Sequence, residues 1–266
     1  MRGIDVSYLQ GSVDWKRVAS SGVRFAMVKA SQGKLTSDAS VGPFSDPRFA
    51  ANMKGARAAG LDVGVYHYLC ASSVEEAERE ADFFVRNAAP VKDKINLWAA
   101  IDAEADAYLP ADGALLTRVV ERFAQVIRSA GYRPMLYANP NYLRYRYAPT
   151  PALPLWLAYY GVTEEAALAY NPAIWQPKEL PAGSVPGIAA KVDADVGYFT
   201  ASSDPIRAGD RVRVVSPYIY GSIRRFAVYY DAYDVLEVSG DRVVIGIGSV
   251  VTAAVHVKNL AKLAIQ

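Results

Sequence analysis

The chain has 266 residues, 52% hydrophobic and 21% charged, a balance that excludes a disordered or fibrous protein and fits one large domain, alone or with a small appendage. A single cysteine, Cys70, excludes an internal disulfide, and two histidines, His67 and His256, are too few soft ligands for a zinc site; no metal or other cofactor is expected. The net charge of +2 is too small for a nucleic-acid reader, yet residues 205–266 hold 8 basic and 5 acidic side chains, an excess that suits weak attraction to an anionic polymer.

Arg2 runs directly into Gly3-Ile4-Asp5-Val6-Ser7 without the apolar stretch of a secretory signal, so no signal peptide is expected. Eight β-like segments follow in order: Gly3–Val6, Phe25–Ala30, Val63–Leu69, Leu97–Asp102, Pro134–Ala138, Leu155–Tyr159, Ala173–Gln176 and Lys191–Asp195. Helices lie between them. Asp46-Pro47 predicts the start of one that stops at Gly60, Ser73 with Glu76 predicts a capping box, and a third runs from near Asp112 to Gly131. Strands alternating with helices imply parallel pairing, and eight of them a closed barrel. The later connections are too short for full helices, so the expected class is α/β, an irregular (β/α) TIM-like barrel over residues 1–199.

Small polar residues around Thr200–Pro205 predict a linker over 200–206. Beyond it, alternating runs at Asp210–Val215, Tyr233–Val238, Arg242–Ile247 and Val250–Val255 predict a small all-β barrel over 207–266. Gly246-Ile247-Gly248 lacks the third glycine of a dinucleotide fingerprint and opens no helix, so it is read as turn chemistry. The nearly uncharged run Val243–Val255 is too short for a bilayer, which needs about 20 apolar residues, and no membrane insertion is expected.

Trp98-Ala99-Ala100-Ile101-Asp102-Ala103-Glu104 is an apolar strand ending in two carboxylates on one face, at the end where barrel enzymes build their sites. Two close carboxyls suit glycoside hydrolysis, one kept protonated as general acid and one ionised beside the oxocarbenium-like transition state. A solvated strand end is the bland alternative. Asp5 ends the first strand, and Asp193 with Asp195 ends the last; closure brings their acids toward the same mouth. Tyr66, Tyr68, Tyr137, Trp156, Tyr159 and Trp175, with Gln176, supply aromatic faces and polar rims fit for sugar rings, Trp156 and Tyr66 foremost, although about half should be core filling. A Cys/His nucleophile is excluded because His67 and Cys70 point to opposite faces of their strand, and no Gly-x-Ser-x-Gly elbow occurs.

Gly3-Ile4-Asp5-Val6-Ser7 with Gln10, Asp14-Trp15, Phe25–Ala30, Tyr66-His67-Tyr68, Ile101–Glu104, Trp156-Leu157-Ala158, Trp175-Gln176 and Val192-Asp193 resemble, in number and order, glycoside hydrolase family 25. The resemblance covers about residues 1–199. It implies an N-acetylmuramidase on a distorted (β/α) barrel that cuts bacterial peptidoglycan, with Glu104 as general acid, Asp102, Asp5 and Asp193 completing the acidic centre, and Tyr66, Tyr137, Trp156, Tyr159, Trp175, Gln176 and Asp195 holding substrate. Asp195 stands where the family commonly has Asn, and Gln32 where it has Glu. Residues 207–266 are similar to the bacterial src-homology-3-like modules of endolysins, which implies binding of a wall polymer. Family habit further implies synthesis in a host cytoplasm and release by phage lysis to act on the extracellular wall. A family-18-like chitinase, or a non-catalytic wall-sugar-binding protein, is the alternative.

Overall fold

The computed structural model describes residues 1–34, 42–199 and 206–263, in two compact units, Met1–Phe199 and Thr200–Gln266. Of the expected linker, residues 200–205 lie outside the described residues.

In the first unit, β1 (Arg2–Val6), α1 (Trp15–Ser20), β2 (Phe25–Gln32), the two-residue β3 (Phe44–Ser45), α2 (Phe49–Ala58), β4 (Asp62–Tyr68), α3 (Val74–Ala88), β5 (Ala99–Asp102), α4 (Gly113–Ser129), β6 (Pro134–Ala138), β7 (Leu155–Ala158), α5 (Glu164–Leu168), β8 (Ile174–Leu180) and β9 (Val192–Gly197) follow in chain order. Pairing runs β1-β9-β8-β7-β6-β5-β4-β2, and β1 pairs back to β2, so eight strands close; β3 adds an edge to β2.

The signals for α3 and α4 stand within a residue or two of the observed helix ends. Asp112 caps α4 by accepting from the Leu115 N–H, and Gly131, at φ +82°, takes the left-handed backbone that stops it. Ser73 caps α3, but Glu76 reaches the Ser72 N–H and hydroxyl, not Ser73, so the reciprocal box is incomplete. Asp46 does not cap α2, which starts three residues later; its carboxylate accepts from the N–H groups of Tyr8 and Arg48 and ties the end of β1 to the helix entrance.

One strand departs from the expected topology. β9 is antiparallel to both β8 and β1, whereas the other closing pairs are parallel. The connection from Leu180 to Val192 holds Pro181, Gly183, Pro186 and Gly187 and no helix, so the chain turns straight back instead of crossing over. Asp193 and Asp195 therefore lie at the start and middle of the last strand, not at its end.

Side chains alternate across the closed sheet. Inward ones, Phe25, Met27, Tyr66, Ala100, Met135, Trp156 and Ile174, fill the barrel, while Val28, Val63, Ile101 and Leu136 pack against Val18, Met53, Phe84 and Phe123 of the helices. Gly3 is required on β1 because a Cβ there would fall inside the Phe25 ring.

The second unit holds β10 (Arg211–Val214), β11 (Tyr233–Ser239), β12 (Arg242–Ile247), β13 (Val250–His256) and β14 (Leu260–Lys262) in a five-stranded antiparallel sheet, order β13-β12-β11-β10-β14, over a core of Val212, Tyr233, Val235, Val243, Ile245 and Val255. Gly240 and Gly248, both at positive φ, sit in its hairpin turns; Gly246 instead belongs to β12, at a bulge where any Cβ would meet the Val250 carbonyl. Among the described residues no helix is long and apolar enough to cross a membrane.

Candidate active site

Inward-facing positions at the carboxyl ends of the parallel strands deliver Asp5, Lys29, Asp102, Tyr137 and Gln176 to one mouth, and the reversed β9 delivers Asp193 from its beginning. Asp5 and Asp193 are register partners. Asp102 lies between Tyr68 and Tyr137 on the neighbouring strands, 7% exposed, with an Oδ1 that finds no hydrogen-bond partner among the described residues. Glu104, two residues past it, is exposed.

A hydrogen-bonded clamp organises the side of the mouth opposite Asp102. Gln176 Oε1 accepts from the hydroxyls of Tyr137 and Tyr160, each at 2.9 Å, which turns its Nε2 toward Asp5 Oδ2 at 2.8 Å. The Tyr160 hydroxyl also lies 3.0 Å from Asp193 Oδ1, so one proton is shared between two acceptors. Tyr160 is half-exposed, with its ring open to a ligand.

These carboxyls crowd one mouth, Asp5 and Asp102 poorly solvated and Glu104 open to solvent on one side, and each is pushed toward its protonated form. Asp5 rises to about 8, by burial first and by the Asp193 charge second, against the Gln176 hydrogen bond. Asp102 is raised well above the ordinary range by burial and then by Glu104. Glu104 is raised by desolvation and by Asp193, and Asp193 by desolvation. Lys29 opposes this trend: its ammonium donates to Gln32 Oε1 at 2.8 Å, lies 4.9 Å from the Tyr68 ring centroid, and holds Asp102 and Glu104 down. Its own pKa is lowered, mainly by burial. Among the described residues no group of three or more His, Cys, Asp or Glu side chains is arranged to hold a metal ion.

Five residues expected to hold substrate are placed elsewhere. Trp156 is 2% exposed, plugging the barrel beneath the acids with Tyr66 and Tyr137 packed edge-on at 5.9 and 4.8 Å. Asp195, equally buried, accepts from Trp156 Nε1 at 2.9 Å, so it supports the plug. Trp175 and Tyr159 have the outward parity of their strands: Trp175 packs with Leu157 and Ala167 and donates to the Tyr159 carbonyl, and Tyr159 packs on Tyr170. Tyr66 is buried as well. Sequence reading passed over Lys29 and Tyr160, though both share the parity of inward neighbours, Lys29 with Met27 and Tyr160 with Trp156.

His67 and Cys70 form no dyad. His67 is fully buried outside the barrel, between Ser31 Oγ at 2.8 Å and Glu80 Oε2 at 2.9 Å, and the Cys70 N–H donates to the same carboxylate. Burial pushes the Cys70 thiol up to about 11, the wrong direction for a nucleophile.

Residues 4–187 match the family model described as glycosyl hydrolases family 25. The chain belongs to glycosyl hydrolase family 25. The family-18 alternative is thereby set aside. Relatives of this family 25 chain include the autolytic lysozyme of Clostridium acetobutylicum, 31% identical over 218 residues (79% of this chain, 61% of that protein), and lysozyme M1 of Streptomyces globisporus, 37% identical over 87 residues (33% and 26%). The matched regions thus span less than two thirds of either relative. A family 25 glycosyl hydrolase from Bacillus anthracis shares the fold at 23% identity and TM-score 0.59, over 74% of this chain and 88% of that one. The Clostridium perfringens spore cortex lytic enzyme SleM does so at 17% identity and TM-score 0.61, over 97% and 87%.

Proposed function

We propose that the family 25 chain is an N-acetylmuramidase that hydrolyses the β-1,4 bond between N-acetylmuramic acid and N-acetylglucosamine in bacterial peptidoglycan. The observation that carries this reading is the pair Asp102 and Glu104 at the barrel mouth, one buried and one exposed, both pushed with Asp5 and Asp193 toward the neutral form. Glu104 can reach a leaving oxygen in the cleft and hold the proton that oxygen needs. The 2-acetamido group of the muramic residue attacks its own anomeric carbon, oriented by Asp102 or Asp193; water then opens the resulting ring with Glu104 as base, and configuration is retained. Asp5, fixed by Gln176, keeps its proton beside the charges of Asp193 and Glu104.

Residues 207–266 act, in this reading, as a module that holds the enzyme on the insoluble wall through a wall polymer, and the protein works on the extracellular wall after release by phage lysis. The test is mass spectrometry of digested peptidoglycan together with NMR of the first-formed anomer. New reducing N-acetylmuramic acid ends with retained configuration support the proposal. Reducing N-acetylglucosamine ends, or an inverted first product, overturn it.

A further inference from the structure

Residues 217–226 of the second unit form a small hairpin with one defined shape. Tyr218 bridges to Arg225, the Ile219 N–H donates to the Arg224 carbonyl at 2.9 Å, Phe226 N–H to the Pro217 carbonyl at 3.0 Å, and Gly221 takes the positive φ the turn needs. The Tyr220 N–H donates to the Ala254 carbonyl on β13 at 2.8 Å, which fastens the hairpin to the sheet.

What this hairpin presents is unusual for a solvated loop. Tyr218, Tyr220, Arg224 and Arg225 are exposed, and Ile223 at the tip is 92% exposed. No acidic residue occurs between Asp210 and Asp231. Asp210, Asp234, Glu237 and Asp241 lie within ion-pair distance of Lys262, Arg211, Arg242 and His256, respectively. Among the described residues, no carboxylate pairs with Arg224 or Arg225. The Arg225 guanidinium lies 5.5 Å from the Tyr218 ring centroid, a cation–π contact that holds the group against the tyrosine face.

We propose that this hairpin is the contact surface for an anionic, phosphodiester-bearing wall glycopolymer, the arginines taking phosphate oxygens and the tyrosine faces taking the C–H surfaces of its sugars or polyols. Planar guanidinium forks match phosphate in two-point contacts. An apolar protein partner fits less well, because covering two unpaired cations without an anion leaves them desolvated. The proposal rests on the wall-binding reading of residues 207–266 and goes beyond it in naming the face and the ligand chemistry.

The test uses the full chain carrying Glu104→Gln, so that walls are not digested, in pelleting assays with purified Gram-positive walls before and after hydrofluoric acid, which cleaves phosphodiesters and leaves peptidoglycan. Binding should weaken roughly tenfold after the acid treatment, weaken with added salt, and weaken to the same degree on untreated walls when Arg224→Glu and Arg225→Glu are added. Arg224→Lys with Arg225→Lys, which keeps the charge, should bind within about threefold of the parent. All four side-chain changes are at exposed positions, and an unchanged melting temperature checks that the fold is kept. Equal pelleting on both wall preparations, or by the double glutamate variant, overturns the proposal while wall binding itself stands. Absence of pelleting on both preparations overturns the wall-binding reading, and the proposal with it.

Discussion

Asp5 and Asp193 stand opposite one another in the antiparallel pairing that closes the barrel, so its first and last strands bring two carboxyls to one point of the mouth. Burial and then the Asp193 charge make Asp5 harder to ionise, so that it holds its proton up to about pH 8. An unfolded aspartate releases its proton near 3.8. Between those values the folded chain binds more protons than the unfolded one, so stability falls as pH rises through this window. Asp5→Asn removes the titration while keeping an acceptor for Gln176. It is expected to raise the melting temperature at pH 8 by several degrees, at about 2–4 °C per kcal/mol, and to leave it nearly unchanged near pH 4. Turnover should fall in the same variant. Calorimetry at the two pH values checks this, and a pH-independent shift sinks the linkage.

Glu104→Gln keeps the shape of the side chain but cannot donate a proton, and an exposed residue beyond the strand end contributes little packing. Turnover should drop by roughly 10²–10⁴, with KM for soluble wall fragments and the melting temperature close to those of the parent. Residual activity within tenfold of the parent removes Glu104 from the acid role. A lowered melting temperature marks it as structural.

Lys29 is the cation that holds Asp102 and Glu104 below the values burial alone would set. Lys29→Met therefore raises both, and the alkaline limb of kcat, where the acid loses its proton, should move to higher pH by roughly one unit. Lys29→Arg should restore the parent profile. A limb that stays in place in the methionine variant shows that the ammonium does not act on the acids.

Much of the barrel was legible because period-two alternation and helix caps are local signals: the strand ending in Asp102 and the Asp112 cap both stand where the pattern put them, while Glu104 falls two residues past the strand instead of on it. Strand direction is not local. Nothing in Val192-Asp193-Ala194-Asp195 says that β9 runs backward; the signal lay in the helix-free, proline- and glycine-bearing connection before it. Parity was available and underused, since Trp175 and Gln176, or Tyr159 and Tyr160, cannot face the same way on an extended strand. Depth was not available. Trp156 and Tyr160 share the inward parity of β7, and only the closed barrel makes one a plug and the other a rim.

Asp195 offers a direct check on that distinction. Its Oδ1 accepts from Trp156 and its Oδ2 has no hydrogen-bond partner among the described residues, in a place so dry that the group is held well above the ordinary carboxylate range, by burial first and the Asp5 charge second. A proton retained there makes the carboxyl resemble an amide, with one oxygen accepting and the other carrying a donor. Asp195→Asn should therefore preserve the plug and leave KM for soluble fragments unchanged within about twofold. It should also remove the cost of ionising a buried acid as pH rises, so the variant gains stability relative to the parent toward alkaline pH and not toward acid. Asp195→Ala, by contrast, strips the indole of its partner and should destabilise by about 1–3 kcal/mol, the cost of an unsatisfied buried donor. Thermal melts and fragment kinetics on the two variants separate the cases. A several-fold rise in KM for Asp195→Asn, at unchanged melting temperature, shows that Asp195 touches substrate and does not merely support the plug.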